Sequence, residues 1–93
     1  MIRFVFSWNI NADEEARYFE FIVRDFAPKL QRARLQLTEA WLTLYGEGPQ
    51  IIMPGVAPSR DALDQLLRSA EWRELVQKLK QHVTDYRLHI IED

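Results

Sequence analysis

The chain has 93 residues, no cysteine, a formal net charge of −2 and a pI near 5.7. With 47% hydrophobic and 28% charged residues it is an ordered globular chain, and its length fits one domain, residues 1–93. The lack of Cys excludes disulfides, a thiol nucleophile and Cys-based metal sites, and the charge argues against binding to nucleic acid or an anionic membrane. Without a signal-peptide pattern or an apolar run of about 20 residues, we expect a soluble cytoplasmic protein.

Residues 2–10 alternate between two faces and predict the first strand. One face carries Ile2, Phe4, Phe6, Trp8 and Ile10, and the other carries Arg3, Val5, Ser7 and Asn9. We expect the apolar face to pack beneath helices.

A first helix is predicted from about Ala12 to Arg34, because Asn11 and Glu14 have the spacing of a helix N-cap with an acid at N3. Pro28 removes a helical hydrogen bond, so the helix should kink or restart between Phe26 and Lys29. Its apolar positions recur every three or four residues and predict one buried stripe. The stripe is Ala16, Phe19, Ile22, Val23, Phe26, Leu30 and Ala33.

Two strands and a hairpin turn are predicted in the middle of the chain. Leu35 to Tyr45 is rich in aliphatic and aromatic residues and stops at residues 46–49, which contain two glycines. The partner strand is predicted over Gln50 to Met53 and should end at Pro54-Gly55.

The second half of the chain predicts a broken helix and a last strand. Ser59 is a helix N-cap candidate and Ser69 is a second start signal, so the helix should run from about 60 to 84 with a break. Residues 86–92 alternate again and predict the last strand, with Arg87, His89 and Ile91 on one side.

The resulting order β-α-β-β-α-β predicts a ferredoxin-like α+β sandwich, in which a four-stranded antiparallel sheet has both helices on one face. The other face, the open face, is left uncovered. If Ala40, Leu42 and Leu44 face the helices, Trp41 and Tyr45 join the open face. The apolar patch would then include Val5, Trp41, Tyr45 and Ile91, which predicts a homodimer through this face.

The element order, the Pro-interrupted helix at 25–28 and the second start at 69–75 resemble the dimeric α+β barrel superfamily across the whole chain. This superfamily includes antibiotic-biosynthesis monooxygenase-like, stress-responsive barrel-like and haem-degrading members. The resemblance implies a homodimer in which two open sheet faces form a barrel. Haem-degrading members have an Asn ending strand 1, a Trp ending strand 3 and a His on the second helix. Asn9 matches, but residues 53–57 contain no Trp and Val76 stands at the His position, so we expect no haem and no other cofactor.

His89 is the candidate catalytic base, because imidazole exchanges protons near neutral pH and strand alternation places it on the open face. Asn9, Trp41, Tyr45 and Arg87 are the predicted lining of the same pocket. The alternative is that His89 only joins a hydrogen-bond network between protomers. The second imidazole, His82, is expected at a rim or helix end, and two histidines without regular acidic partners predict no metal site.

Two functions from different classes follow. The first is a small-molecule-binding barrel, in its sharpest form a cofactor-independent monooxygenase-like or cyclase-like enzyme acting on an aromatic or polyketide-like compound. The alternative is a noncatalytic dimeric interaction or regulatory module, and the sequence leaves open whether the protein is an enzyme. An RNA-recognition domain has the same element order, but it needs aromatic residues on strands 1 and 3 where this chain has Val5, Ser7 and Ile52.

Overall fold

The computed structural model describes residues 1–38, 41–42 and 50–91. The strands are β1 (Ile2–Ile10), β2 (Gln36–Leu37), β3 (Trp41–Leu42), β4 (Ile51–Ala57) and β5 (Val83–Ile91). The helices are α1 (Glu15–Phe21), α2 (Ala27–Arg32), α3 (Arg60–Arg68) and α4 (Ala70–Leu79), and a π-helical segment (Ile22–Phe26) joins α1 to α2. Within these described ranges, no helix is long and apolar enough to cross a membrane.

The sheet confirms the predicted ferredoxin-like α+β architecture. Antiparallel pairing joins β5 to β1 and β1 to β4, and both β2 and β3 pair with β4. The two short strands occupy the place of the single strand predicted over 35–45, and the predicted turn at 46–49 lies outside the described residues. The strand order is therefore β2/β3-β4-β1-β5.

The core lies between the sheet and the helices and is built around aromatic rings. Phe4, Phe6 and Trp8 of β1 are fully buried, as the alternation of residues 2–10 predicts. Trp8 Nε1 donates a hydrogen bond of 2.8 Å to the Tyr18 hydroxyl, which anchors α1 on the sheet. Burial raises the pKa of Tyr18 to about 12, so the phenol stays neutral at physiological pH.

The first helix begins later than predicted. Its first residue is Glu15, whereas Ala12 was expected, and Asn11 does not cap it with its side chain. The Asn11 amide instead donates to the carbonyl of Gln81, and the Asn11 carbonyl accepts from Glu14 N–H. Asn11 thus ties the end of β1 to the segment that precedes β5.

The buried stripe predicted for this helix is wrong at three positions. Ala16 is exposed, and Phe19 and Val23 are 52% and 71% exposed, whereas Tyr18 and Phe21 are buried. The Trp8–Tyr18 hydrogen bond fixes the face of α1 that meets the sheet, and hydropathy alone does not register this constraint.

The interruption expected around Pro28 takes the form of a π-helical segment just before it. Ala27 N–H donates to the carbonyl of Ile22, five residues back, and α2 begins at Ala27 with Pro28 in its first turn. Proline is tolerated there because the first turn of a helix needs no N–H from it. The helix restarts as predicted, and it ends at Arg32.

Strand β4 continues through Pro54 and Gly55, where the sequence predicted its end. The Pro54 carbonyl accepts a hydrogen bond from the Thr38 N–H at 2.9 Å. Proline has no backbone N–H to donate, but its carbonyl still takes part in the pairing of the sheet. A Cβ at Gly55 would lie 2.5 Å from the Phe4 ring and 2.6 Å from the Gln36 carbonyl oxygen. Glycine is therefore required where the Phe4 ring crosses the strand.

The second helical region is broken as predicted. Ser59 Oγ accepts from Ala62 N–H at the start of α3. Ser69 Oγ donates to the Leu66 carbonyl at 2.8 Å and accepts from Trp72 N–H at 3.1 Å, so one side chain ends α3 and begins α4. Helix α4 ends at Leu79, not near 84, and β5 begins three residues earlier than predicted.

Candidate functional site

The open face of the sheet holds a depression of about 540 Å³. Its lining comprises Val5, Ser7, Asn9, Ile52, Asp85, Arg87 and His89. The polar side chains come from β5 and from the end of β1, and the aliphatic ones come from β1 and β4. This mixture of a few polar groups with apolar wall is typical of small-molecule sites.

Three of the five predicted site residues line this depression. Asn9, Arg87 and His89 come together because β1 and β5 pair with Ser7 opposite Arg87 and Val5 opposite His89. Trp41 occupies the register position opposite Ile52 on the neighbouring strand. Tyr45 lies outside the described residues, and the functional roles of all five remain predictions.

A β-bulge in β5 shapes one end of the depression. The pairing with β1 changes from Ser7 opposite Arg87 to Asn9 opposite Thr84. Two residues of β5, Asp85 and Tyr86, therefore occupy the backbone positions opposite the single residue Trp8 of β1. The Tyr86 ring stacks on Trp8 at a centroid distance of 6.1 Å and an interplanar angle of 11°. Asp85 has φ 57° and lines the open-face depression. The bulge thus keeps an aromatic contact in the core and presents a carboxylate on the other face.

A chain of hydrogen bonds holds this carboxylate in place. Gln50 N–H donates to Asn9 Oδ1 at 2.7 Å, and Asn9 Nδ2 donates to Asp85 Oδ2 at 3.1 Å. The Gln50 side chain in turn accepts from Ile10 N–H at 2.9 Å. Because a backbone donor occupies the Asn9 oxygen, its amide nitrogen must point toward Asp85.

Asp85 is the site residue that the sequence prediction missed. The signal was present, because Val83 and Tyr86 both face the core although they are three residues apart. That spacing breaks the two-residue period and marks a bulge. Beginning the last strand at Tyr86 left Asp85 outside the predicted strand.

The charges of the site are arranged along one strand. Arg87 carries a permanent positive charge, Asp85 supplies a carboxylate, and His89 supplies an imidazole, the side chain most often used as a general acid or base. Within the described part of the chain, neither Arg87 nor His89 forms an ion pair or side-chain hydrogen bond. Burial raises the pKa of Tyr86 to about 12, so this phenol stays protonated and uncharged near pH 7.

The second histidine is remote from this face. His82 Nδ1 lies 2.8 Å from Glu14 Oε2, and its ring lies 5.7 Å from that of Phe21, so it joins the α4–β5 connection to the start of α1. Among residues 1–38, 41–42 and 50–91, no group of three His, Cys, Asp or Glu side chains could hold a metal ion.

Comparison with solved structures places the fold. An uncharacterized NIPSNAP domain protein from Burkholderia xenovorans superposes with a TM-score of 0.74 at 8% identity, covering 100% of this chain and 94% of that chain. A putative antibiotic biosynthesis monooxygenase from Deinococcus radiodurans gives 0.77 at 17% identity, with coverages of 100% and 92%. A conserved protein from Methanosarcina mazei Go1 gives 0.75 at 18% identity, with coverages of 99% and 91%.

These similarities confirm the predicted fold of the protomer, which is shared with NIPSNAP and antibiotic biosynthesis monooxygenase structures. No protein-family model matches the chain, and no curated protein matches it. At these identities a shared fold does not carry a shared reaction, so function has to be argued from the site.

Proposed function

We propose that the protein is a small-molecule-binding dimeric α+β barrel, in which two copies join their open sheet faces and enclose the depression. The observation that carries this proposal is the depression of about 540 Å³ on the sheet face that none of the helices α1 to α4 covers. Its volume lies within the roughly 300–1,000 Å³ of small-molecule pockets, and its lining combines aliphatic walls with Asn9, Asp85, Arg87 and His89.

The apolar part of the open face supports the dimer. Val5 and Ile52 line the depression and are only partly buried, and Ile91 on β5 is 41% exposed. A domain of this size buries a smaller share of its surface on folding than a large domain does, so pairing two such faces adds apolar burial that one copy lacks. Each copy would then close the depression of the other.

The enzymatic form of the proposal gives His89 the role of base. In a cyclase-like reaction the imidazole removes a proton from a carbon between two carbonyl groups. The resulting enolate forms a carbon–carbon bond to a third carbonyl group of the same molecule. The imidazolium then returns the proton to the new alkoxide, and Arg87 stabilises the negative oxygen during the step. In a monooxygenase-like reaction the same base would remove a proton from a CH2 group that is activated by an adjoining aromatic ketone. Dioxygen would add to the carbanion, and loss of water from the resulting hydroperoxide would leave a new carbonyl group.

The substrate class follows from the walls of the enclosed pocket. An aromatic or polyketide-like compound pairs flat apolar surface with carbonyl and hydroxyl oxygens, which suits aliphatic walls with a few polar groups. In this proposal Trp41 and Tyr45 supply aromatic walls, and Asn9 and Arg87 orient the oxygens. The Deinococcus radiodurans structure that shares this fold is described as a putative antibiotic biosynthesis monooxygenase.

The dimer is tested by light scattering on a matched pair of variants. We expect the wild-type protein to be a dimer at micromolar concentration and Val5→Glu to be a monomer, because the new carboxylate would be buried at the centre of the interface. Val23→Glu places the same change on the helical side, where Val23 is 71% exposed, and should remain a dimer. A monomeric wild type, or a dimeric Val5→Glu protein, would contradict the proposal.

Ligand binding is tested by native mass spectrometry of the purified dimer. We expect a co-purified or added aromatic compound to bind, and to be lost in Val5→Glu together with the dimer. The second candidate is a noncatalytic interaction module, favoured by the aliphatic side chains of Val5, Ile52 and Ile91 across the face. A stable dimer that binds none of a broad set of aromatic compounds would favour that candidate.

A further inference from the structure

The bulge in β5 gives the site a carboxylate whose position is set by the core. Tyr86 stacks on Trp8 on the inner face, and this contact fixes the bulge. Asp85 adopts φ 57°, a conformation that Asp and Asn tolerate better than other residues with side chains. Its side chain therefore lies on the open face for a structural reason that is independent of any ligand.

The hydrogen-bond chain from Gln50 leaves one side of this carboxylate available. Asn9 Nδ2 donates to Oδ2 of Asp85, and Asn9 is held by the Gln50 N–H. Among the described residues, the Asp85 carboxylate has no other hydrogen-bond donor or ion-pair partner. Because an ionised carboxylate can accept about four hydrogen bonds, Asp85 can take a donor from a bound molecule.

Arg87 supplies the complementary group on the same strand. It is two residues from Asp85 along β5, and both side chains line the open-face depression. Its guanidinium matches a planar carboxylate, with two parallel N–H donors. A ligand lying along β5 would thus meet an acceptor at Asp85 and a cationic donor at Arg87.

We infer that the open-face site selects a small aromatic hydroxy acid, whose hydroxyl donates to Asp85 and whose carboxylate binds Arg87. This inference rests on the proposed function, and it adds the class of ligand and a specificity-determining residue. Ligands without a hydroxyl donor would leave the second oxygen of the Asp85 carboxylate without a donor in the closed dimer, which weakens their binding.

The inference is tested by titrating the dimer with 4-hydroxybenzoate, 4-methoxybenzoate and benzoate in a calorimeter. We expect wild type to bind 4-hydroxybenzoate about tenfold more tightly than the other two, the usual effect of one hydrogen bond to a charged group. Asp85→Gly should bind all three equally, and it should fold because glycine readily adopts a positive φ. Asp85→Asn should show a smaller preference than wild type, because a neutral amide accepts more weakly.

Two further variants separate the roles of the charges. Asp61→Asn makes the matched change at an exposed position in the first turn of α3 and should keep the wild-type preference. Arg87→Gln should weaken binding of all three acids by a similar factor while keeping the preference for the hydroxyl.

The outcomes distinguish this inference from the proposed function. Equal binding of the three acids by wild type, or a preference that survives in Asp85→Gly, would overturn the role of Asp85 and leave a small-molecule-binding dimer in place. A dimer that binds other aromatic compounds but none of these acids would overturn the hydroxy-acid class alone. A monomeric wild type that binds no aromatic compound would overturn both.

Discussion

The two faces of the sheet are formed by the same strands but have opposite chemistry. On the inner face of β1, Phe4, Phe6 and Trp8 are fully buried among other aromatic rings. On the outer face Val5 and Asn9, two residues of the same strand, line an open depression. The alternation of a strand thus separates residues that hold the protomer together from residues available to a partner or ligand.

The two faces also differ in how their polar groups are used. The inner face carries the Trp8–Tyr18 hydrogen bond, in which donor and acceptor belong to one protomer. On the outer face the Asn9–Asp85 pair is solvent-accessible, and Arg87 and His89 project into the same depression. The Trp8 and Tyr18 polar groups of the inner face are paired with each other, whereas the polar side chains of the outer face can still bind a ligand or a partner.

The largest effect is expected from removing an inner-face ring. Phe6 contacts the rings of Trp8, Phe26 and Trp72, so Phe6→Ala should lower the free energy of unfolding by about 3–5 kcal/mol through lost burial and a cavity. Urea unfolding followed by tryptophan fluorescence measures this change.

The matched control is Phe19→Ala, since Phe19 is 52% exposed on α1. It should cost no more than about 1 kcal/mol, because about half of this residue stays exposed to water in the folded protein. Similar losses for the two variants would show that the inner face does not dominate the stability of the protomer.

Period-two alternation explains why the assignment of the two faces could be predicted from the sequence. The pattern of β1 placed Phe6 inside and Val5 outside, and the two serines at 59 and 69 marked the starts of α3 and α4 correctly. These signals are local, because caps and alternation depend on neighbouring residues in the chain.

The errors arose where a tertiary contact overrides a local pattern. Phe19 looked buried by helical spacing, but the hydrogen bond between Trp8 and Tyr18 turns a different face of α1 toward the sheet. Asp85 was missed because the bulge shifts the alternation of β5, and its cause, Tyr86 stacking on Trp8, joins residues far apart in sequence.

An intermediate effect is expected from the polar contact of the inner face. Tyr18→Phe removes the acceptor of the Trp8 Nε1–H and should lower the free energy of unfolding by about 1–2 kcal/mol. The substitution should also change how the free energy of unfolding depends on pH in the alkaline range. Folding raises the pKa of Tyr18 from 10 to about 12, so this contribution is complete below pH 10 and is lost as the pH rises toward 12.

Urea unfolding between pH 8 and 12 measures both effects. The wild-type protein should lose stability above pH 10, and Tyr18→Phe should lose less over the same interval. Tyr86 has the same shift, so part of the dependence should remain in the variant. An identical alkaline decline in the two proteins would show that Tyr18 does not contribute to it.

The smallest effect on stability is expected at the outer face. If His89 acts as a base, His89→Gln should abolish turnover of a substrate while the melting temperature and the dimer stay nearly unchanged, because its exposed ring makes no hydrogen bond with the described residues. If His89 instead joins an interface network, the same change should lower dimer stability by about 1–3 kcal/mol.

His82→Gln is the matched control, because it removes the other imidazole at a position outside the depression. The His82 ring pairs with Glu14 at 2.8 Å and packs near Phe21, so this variant should lose stability and keep turnover. We therefore expect opposite results in differential scanning calorimetry and a substrate assay. His89→Gln should lose turnover and keep its stability, whereas His82→Gln should lose stability and keep its turnover. Loss of turnover in both, or in neither, would remove His89 from the role of base and leave the outer face as a binding surface.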